Sequence, residues 1–356
     1  MTGIVTKTDL VISDRNGITE NTHSIHAAVV DAKGRLLYSL GNPNRMTLIR
    51  SAAKPAQALA VVETGALEQF GFDEADLALM CASHNSEDRH VERARRMLAK
   101  SGATEGHLRC GNHPALSPVV NRQWIENRFR PGPIQNNCSG KHAGVLAGAR
   151  TLGLTLDNYH LLEHPIQAKV KQATEELSGL SPEDIKWGID GCNMPSAGLP
   201  LVNLGQMYAT LAEAADKTES DPSQSPRTNA LARVFTAMTK YPEMVGGEDR
   251  FCTILMGASS GQLIGKLGAD GCYGIGIRGQ GTKQLGIDGA VGLAVKVEDG
   301  NIPVLYAAVA EILEQLRLGT PVLREKLEPF HHLKTYNTAD VLTGQYSFQF
   351  ELRKQD

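Results

Sequence analysis

The chain has 356 residues and a net charge of −3 with no long run of one sign, so it is long enough to bury a substantial core and carries no electrostatic footprint of a nucleic-acid partner or an anionic membrane surface. No segment reaches the roughly 18 apolar residues of a spanning helix, and the start, MTGIVTKTDLVISDRNG, lacks a basic stretch followed by an apolar one; the expected location is cytoplasmic, with no membrane and no nucleic acid as partners. The six cysteines (Cys81, Cys110, Cys138, Cys192, Cys252, Cys272) are widely spread in a chain that needs no disulfide staples, so reduced thiols are expected and a functional cysteine would be a metal ligand or a nucleophile.

In chain order, Ile25 to Gly41 has two apolar runs separated by Asp-Ala-Lys-Gly, which predicts a β-hairpin with a turn glycine. In LIRSAAKPAQALAVVETGAL (Leu48 to Leu67) Pro55 is tolerated only in the first turn of a helix, so a helix is expected to start at about Ser51. Helices are then expected in EDRHVERARRMLAK, KHAGVLAGARTL, IQAKVKQATEEL, LVNLGQMYATLAEAA and ALARVFTAMTKY, with Asp216 to Asn229, polar and carrying two prolines, as a disordered surface loop. A second strand-rich block is expected over Phe251 to Gly279 and Gly289 to Asn301, its many glycines marking close-packed strands, followed by a helix over Ile302 to Leu316. These elements predict one catalytic domain over residues 1–356 of mixed α/β (α+β) class. Its antiparallel sheet is built from N- and C-terminal strands (about 1–50 and 250–356) and is flanked by a large helical middle (about 51–249).

Ser51 and Lys54, three residues apart, share one face if helical and can hydrogen-bond there, with the Ser51 hydroxyl at the positive end of the helix dipole. Downstream stand Ser83-His84-Asn85, an S-x-N pattern before a helix, and Lys266-Leu267-Gly268, a K-x-G pattern in an expected strand. In the order S-x-x-K, S-x-N, K-x-G they resemble the penicillin-binding-protein and serine β-lactamase arrangement, in which the first serine is the nucleophile and the second serine and late lysine form another Ser-Lys pair. His84 and Leu267 depart from it, since aspartate and threonine are usual there. A lysine base needs its pKa lowered from about 10.4 by burial and nearby cations, and Arg50 and Lys266 are candidates for Lys54. The alternative reading of Lys266 is a strand lysine facing solvent.

NNCSGKHAGVLAG (Asn136 to Gly148) places Cys138 just before a small-residue helix, and WGIDGCNMPS (Trp187 to Ser196) places Cys192 in a glycine-rich turn. Two thiolates neutralise a dication and select zinc, with His142 or a neutral Lys141 amine as a third donor; equally, both cysteines are candidate packing residues.

Together RSAAKPAQ, CASHNSEDRH, NCSGKH, DGCN and GKLGADG resemble the Rhizobium-type (class 3) L-asparaginases, an asparaginase II family with a serine-β-lactamase-like fold, over about Thr8 to Arg353. The resemblance implies a homodimeric amidohydrolase acting on L-asparagine. It implies two catalytic pairs, Ser51 with Lys54 and Ser83 with Lys266, and a Zn2+ held by Cys138, Lys141 and Cys192 with Asp190 behind them. It gives Asn85 no role. The zinc is expected to position substrate or fix loops rather than to activate water, because a serine nucleophile makes a metal hydroxide redundant. The rival readings are a serine-dependent glutaminase or other amidohydrolase of this fold, and a non-catalytic zinc- or amino-acid-binding protein.

Overall fold

The computed structural model describes residues 9–355, so Thr8 and the rest of the first eight residues of the expected N-terminal sheet region lie outside the described residues. Strands β1 (Leu10–Arg15), β2 (Ile18–Asp31) and β3 (Leu36–Leu40) are followed by three short strands, β4 (Met46–Leu48), β5 (Lys186–Ile189) and β6 (Pro195–Pro200). After the central helices come β7 (Leu263–Gly268), β8 (Cys272–Ile277), β9 (Val291–Val297), β10 (Lys334–Tyr336), β11 (Leu342–Gln349) and β12 (Arg353–Lys354). The main sheet runs β10-β11-β1-β2-β9-β8-β7, with β3 paired to β2 and β12, and every pairing is antiparallel. The 14-residue β2 is its spine: the first half pairs with β1 (Leu10 opposite Ser24), the second with both β3 and β9 (Ala28 opposite Ser39 and Ala294). Strands from the two ends of the chain thus form one sheet, and the β2–β3 hairpin turns at Gly34 with a φ of 81°, as its sequence predicts.

β9 is buried at every residue, which is why it reads VGLAVKV rather than as an alternation; the helices Leu201–Ser220 and Ile302–Gln315 pack against it. Its glycine is a contact point. A Cβ on Gly292 would stand 1.8 Å from the Gly205 carbonyl oxygen, and one on Gly276 in β8 2.4 Å from that of Tyr208, so the helix backbone rests directly on the sheet. Gly292→Ala is therefore expected to destabilise at or above the upper end of the ~1–3 kcal/mol typical of overpacked cores. Gly188→Ala, whose Cβ would meet only Leu48 Cδ1 at 3.5 Å, should be tolerated. Thermal denaturation of the two variants checks this, and equal midpoints would refute the close contact.

The middle of the chain is mostly helical, with four differences from expectation. The strands β4-β6-β5 form a small second sheet inside it. Phe251–Gly257 is a helix, not a strand; a short apolar run of β-formers suits a buried helix equally well, and its flanks decide. The helix Leu201–Ser220 runs into the expected loop as far as Ser220, and the next helix starts at Pro226 behind a Ser225 cap accepting from Thr228 N at 3.1 Å. Polarity there reports solvent exposure, and proline at a first turn starts a helix instead of breaking one. Finally, Arg50–Ala53 form a 3₁₀ turn and the α-helix proper is Lys54–Val62, so Ser51 precedes it.

The helix Ser139–Thr151 is buried along nearly its whole length. Glycines permit this: a Cβ on Gly140 would meet Leu79 Cγ at 2.5 Å and one on Gly144 would meet Met80 Cγ at 2.7 Å, so the helix lies against the end of the helix Glu74–Met80. That contact carries Cys138 and Lys141 up to the segment Cys81–Asn85. Among the described residues no helix is long and apolar enough to cross a membrane.

Candidate active site

A cavity of ≈ 760 Å³ opens where the 3₁₀ turn, the segment after Met80, the β5–β6 turn and the end of β7 meet; Arg50, Ser51, Ser83, Cys138, Asp190, Cys192 and Arg250 line it. The turn carrying Ser51 is held tightly. Arg50 has a φ of 49°, a left-handed conformation that a side chain adopts at a cost of about 1–3 kcal/mol, and its guanidinium is ion-paired to both Asp190 and Asp270. Gly268 explains the glycine of the K-x-G pattern: a Cβ there would lie 2.4 Å from the Ile49 carbonyl oxygen and 3.4 Å from Ala52 N, so the end of β7 accepts the turn only without a side chain.

The two lysines converge on one serine. Lys54, 0% exposed, directs its Nζ to Ser83 Oγ at 3.0 Å, to Cys138 Sγ at 3.1 Å and to the Ala82 carbonyl oxygen. Lys266, 1% exposed, places its Nζ 2.9 Å from the same Ser83 Oγ and 2.8 Å from the Leu267 carbonyl oxygen. The solvent-facing reading of Lys266 is thereby excluded. Burial, with Lys54 and Arg250 adding repulsion against the opposing pull of Cys252, brings Lys266 down to about 7. Among the described residues Ser51 Oγ makes no hydrogen bond, so the expected Ser51–Lys54 bond is not formed; Lys54 finds three acceptors elsewhere. Of the cations expected beside Lys54, Lys266 is near it, while the charge of Arg50 is engaged by two aspartates.

Beside Ser83 the predicted metal donors come together. Lys141 Nζ lies 2.9 Å from Cys192 Sγ, and the Cys138 thiol, which donates to Asn137 Oδ1 at 3.1 Å, is a near neighbour of the same sulfur. Cys138 first, then the Lys141 ammonium, hold Cys192 well below the ordinary thiol range despite its burial. His142 is buried and neutral, burial lowering it to about 4; its Nδ1 meets the Tyr159 hydroxyl at 2.6 Å while its Nε2 has no hydrogen-bond partner within reach among the described residues. Asp190 touches Cys192, with Oδ2 3.5 Å from the sulfur, and its other oxygen accepts from Gly191 N at 2.8 Å. A thiolate and a second thiol suit a soft dication, and Lys141, held protonated above the ordinary lysine range by Cys192 despite its burial, becomes a donor only where a metal takes the place of its proton. The group of three His/Cys/Asp/Glu side chains whose ligand atoms lie together among the described residues is a different one, Glu328, His331 and His332, at the end of the helix Pro321–His331 and outside this cavity. All six cysteines are buried and unpaired.

His84, the departure from the β-lactamase-like pattern, does not line the cavity. Its Nδ1 accepts from Ser86 N at 3.1 Å, which leaves Nε2–H to donate to Ser139 Oγ at 3.0 Å, and its ring stacks on His90 at 5.0 Å. It is a neutral, fully buried link between the Ser83 segment and the helix that carries Lys141. Asn85 donates its amide to Glu87 Oε1 and the Glu248 carbonyl oxygen, both at 2.9 Å, and accepts from Arg250 at 3.0 Å. Arg250 was not singled out from sequence. It is 167 positions from Ser83 and sits in no recognisable pattern, so no short-range signal points to it.

The family model for L-asparaginase II matches residues 11–348. No curated protein matches the chain. Among solved structures, a crystal structure of Mglu is similar at 16% identity and a TM-score of 0.36 over 83% of this chain and 67% of that one. Mglu in its native form in 4.3 M NaCl is similar at 16% identity and a TM-score of 0.35, over 83% of this chain and 61% of that one. Mglu in its glutamate form gives 15% identity, a TM-score of 0.35 and the same coverages. The chain thus spans between 61% and 67% of the length of these structures.

Proposed function

The chain belongs to the L-asparaginase II family, a family of amidohydrolases, and from that premise we propose that it hydrolyses the side-chain amide of L-asparagine through an ester formed on a serine of this site. The observation that carries the reading is one hydroxyl, Ser83 Oγ, held between two buried lysine amines at 3.0 and 2.9 Å on a cavity wall. A buried amine brought to about 7 is a base at neutral pH, and the serine beside it gives up a proton readily.

Ser51, which lines the cavity and whose oxygen is unengaged among the described residues, attacks the amide carbon. Its proton passes through Ser83 Oγ to Lys266 Nζ, and the protonated network returns a proton to the departing nitrogen, so that ammonia leaves and an aspartyl ester remains. Water then cleaves the ester, giving aspartate and restoring the serine. A second reading has Ser83 as the attacking residue, since it is the serine in direct contact with the base. Glutamine differs from asparagine by one methylene, worth only about 1–3 kcal/mol of discrimination, so some turnover of it is expected. Ammonia release from L-asparagine and L-glutamine by the purified protein tests the function; absence of release from both would favour the non-catalytic binding protein.

Cys138, Lys141 and Cys192 are the proposed zinc ligands, and the buried, unpartnered His142 Nε2 offers one more donor beside them. Bound zinc would supply a fixed positive charge that holds the β5–β6 turn against the helix and helps place substrate. Cys192→Ser is expected to lower zinc content measured by elemental analysis, because an alcohol is a poorer ligand than a thiolate, whereas Cys110→Ser, Cys252→Ser and Cys272→Ser should not. The kinetic effect should fall on KM more than on kcat, the signature of a contact shared by ground and transition states. Less than about 0.1 zinc per chain in protein prepared without chelators would instead make Cys138 and Cys192 packing residues.

A further inference from the structure

We propose that Arg250 binds the α-carboxylate of the substrate, making it the residue that restricts this site to amides of free amino acids and related acids; the proposal rests on the reading of the site given above. Two arginines line the cavity, and they are not equivalent. Arg50 is matched by Asp190 and Asp270. Arg250 forms no ion pair among the described residues: its Nη1 donates to Asn85 Oδ1 at 3.0 Å and toward the Ser83 carbonyl oxygen at 3.4 Å, both neutral partners, and Tyr306 lines the cavity with it. A guanidinium offers five N–H donors in a planar fork suited to a carboxylate, so its charge and part of its donor set remain for a ligand.

The position fits the molecule to be bound. The guanidinium reaches the backbone of Ser83, the residue whose hydroxyl carries the two lysines. In asparagine two carbons separate the carboxylate from the amide carbon, so one molecule can lie on Arg250 while presenting its amide to the serines. The arm is also pre-positioned. Gly247 has a φ of 113°, a Cβ on it would lie 2.5 Å from Asn85 Nδ2, and Asn85 Nδ2 donates to the Glu248 carbonyl oxygen at 2.9 Å. The loop before Arg250 is thus pressed on Asn85, which also holds the guanidinium, and this gives the asparagine of the S-x-N pattern its role as a positioning residue.

The test compares three substrates by ammonia release: L-asparagine, succinamate, which keeps the carboxylate and lacks the amine, and 3-aminopropanamide, which keeps the amine and lacks the carboxylate. Arg250→Met is expected to lower kcat/KM about 10²-fold or more for the first two and to leave the third within about threefold, the cost of removing one partner of a desolvated charge pair. Arg250→Lys should recover part of the loss, since it restores charge without the fork. An equal loss on all three substrates would mean that Arg250 merely holds Ser83 and Asn85 in place, and no loss on any would mean that it touches no carboxylate; either overturns the proposal while leaving the amidohydrolase reading intact. If the unmodified protein releases ammonia from none of the three, both readings fall.

Discussion

Ser51→Ala is expected to lower kcat for asparagine by about 10⁴-fold or more, with the melting temperature and zinc content unchanged. The change removes the attacking oxygen and nothing else, because that oxygen makes no hydrogen bond among the described residues and its loss strands no buried donor there. Ser83→Ala differs in kind. It removes the shared partner of two amines buried to 0% and 1% exposure, so it should lower stability as well as activity. If the two variants exchange behaviour, with Ser51→Ala retaining activity within tenfold of the parent, Ser83 is the nucleophile and the second reading replaces the first.

Lys266→Met is expected to lower kcat/KM by about 10²–10⁴-fold, the usual contribution of a positioned general base, and to abolish the lower limb of the pH profile. The sign follows from burial. An ammonium is disfavoured in the core, so Lys266 loses its proton at about 7 instead of 10.5, and the fraction of active base grows as pH rises through 7. The parent should therefore gain about tenfold in kcat/KM per pH unit below 7 and level off above it. The same shift has a consequence for stability. Between pH 7 and 10.5 the unfolded chain binds a proton at this position that the folded chain does not, so the penalty of burying Lys266 is full below pH 7 and fades as pH rises across that window. Lys266→Met removes the penalty. A less active variant that melts higher at pH 7 than the parent is the combined expectation, and a flat parental profile from pH 5 to 9 would count against a lysine base.

Much of this site is legible in the sequence because the residues that build it sit at local punctuation. Pro55 after Lys54 marks a helix start, the cysteines lie in the NCSGKH and DGCN turns, and Lys266 lies between apolar neighbours in a strand that proves to be buried. The pairing within the site is not legible, because it depends on tertiary reach. Spacing joins Lys54 to Ser51, yet its four-carbon arm extends to Ala82, Ser83 and Cys138, where three acceptors outcompete one hydroxyl. Arg250 is hidden for the same reason, since its meaning comes from Asn85 and Ser83 more than 160 positions away. In the fold, the hairpin at Gly34 and the strands β7 to β9 are legible from apolar runs and turn residues, whereas no stretch singled out in the sequence marks β1 or β10 to β12. The helix Phe251–Gly257 is missed because seven mostly apolar residues carry no period long enough to separate helix from strand.

The most direct test is to quench the protein with acid during turnover of L-asparagine and map the peptides by mass spectrometry. The account predicts an aspartyl ester on the peptide carrying Ser51, absent when asparagine is omitted and absent from Ser51→Ala. Rapid ammonia release with no ester on any serine would contradict it.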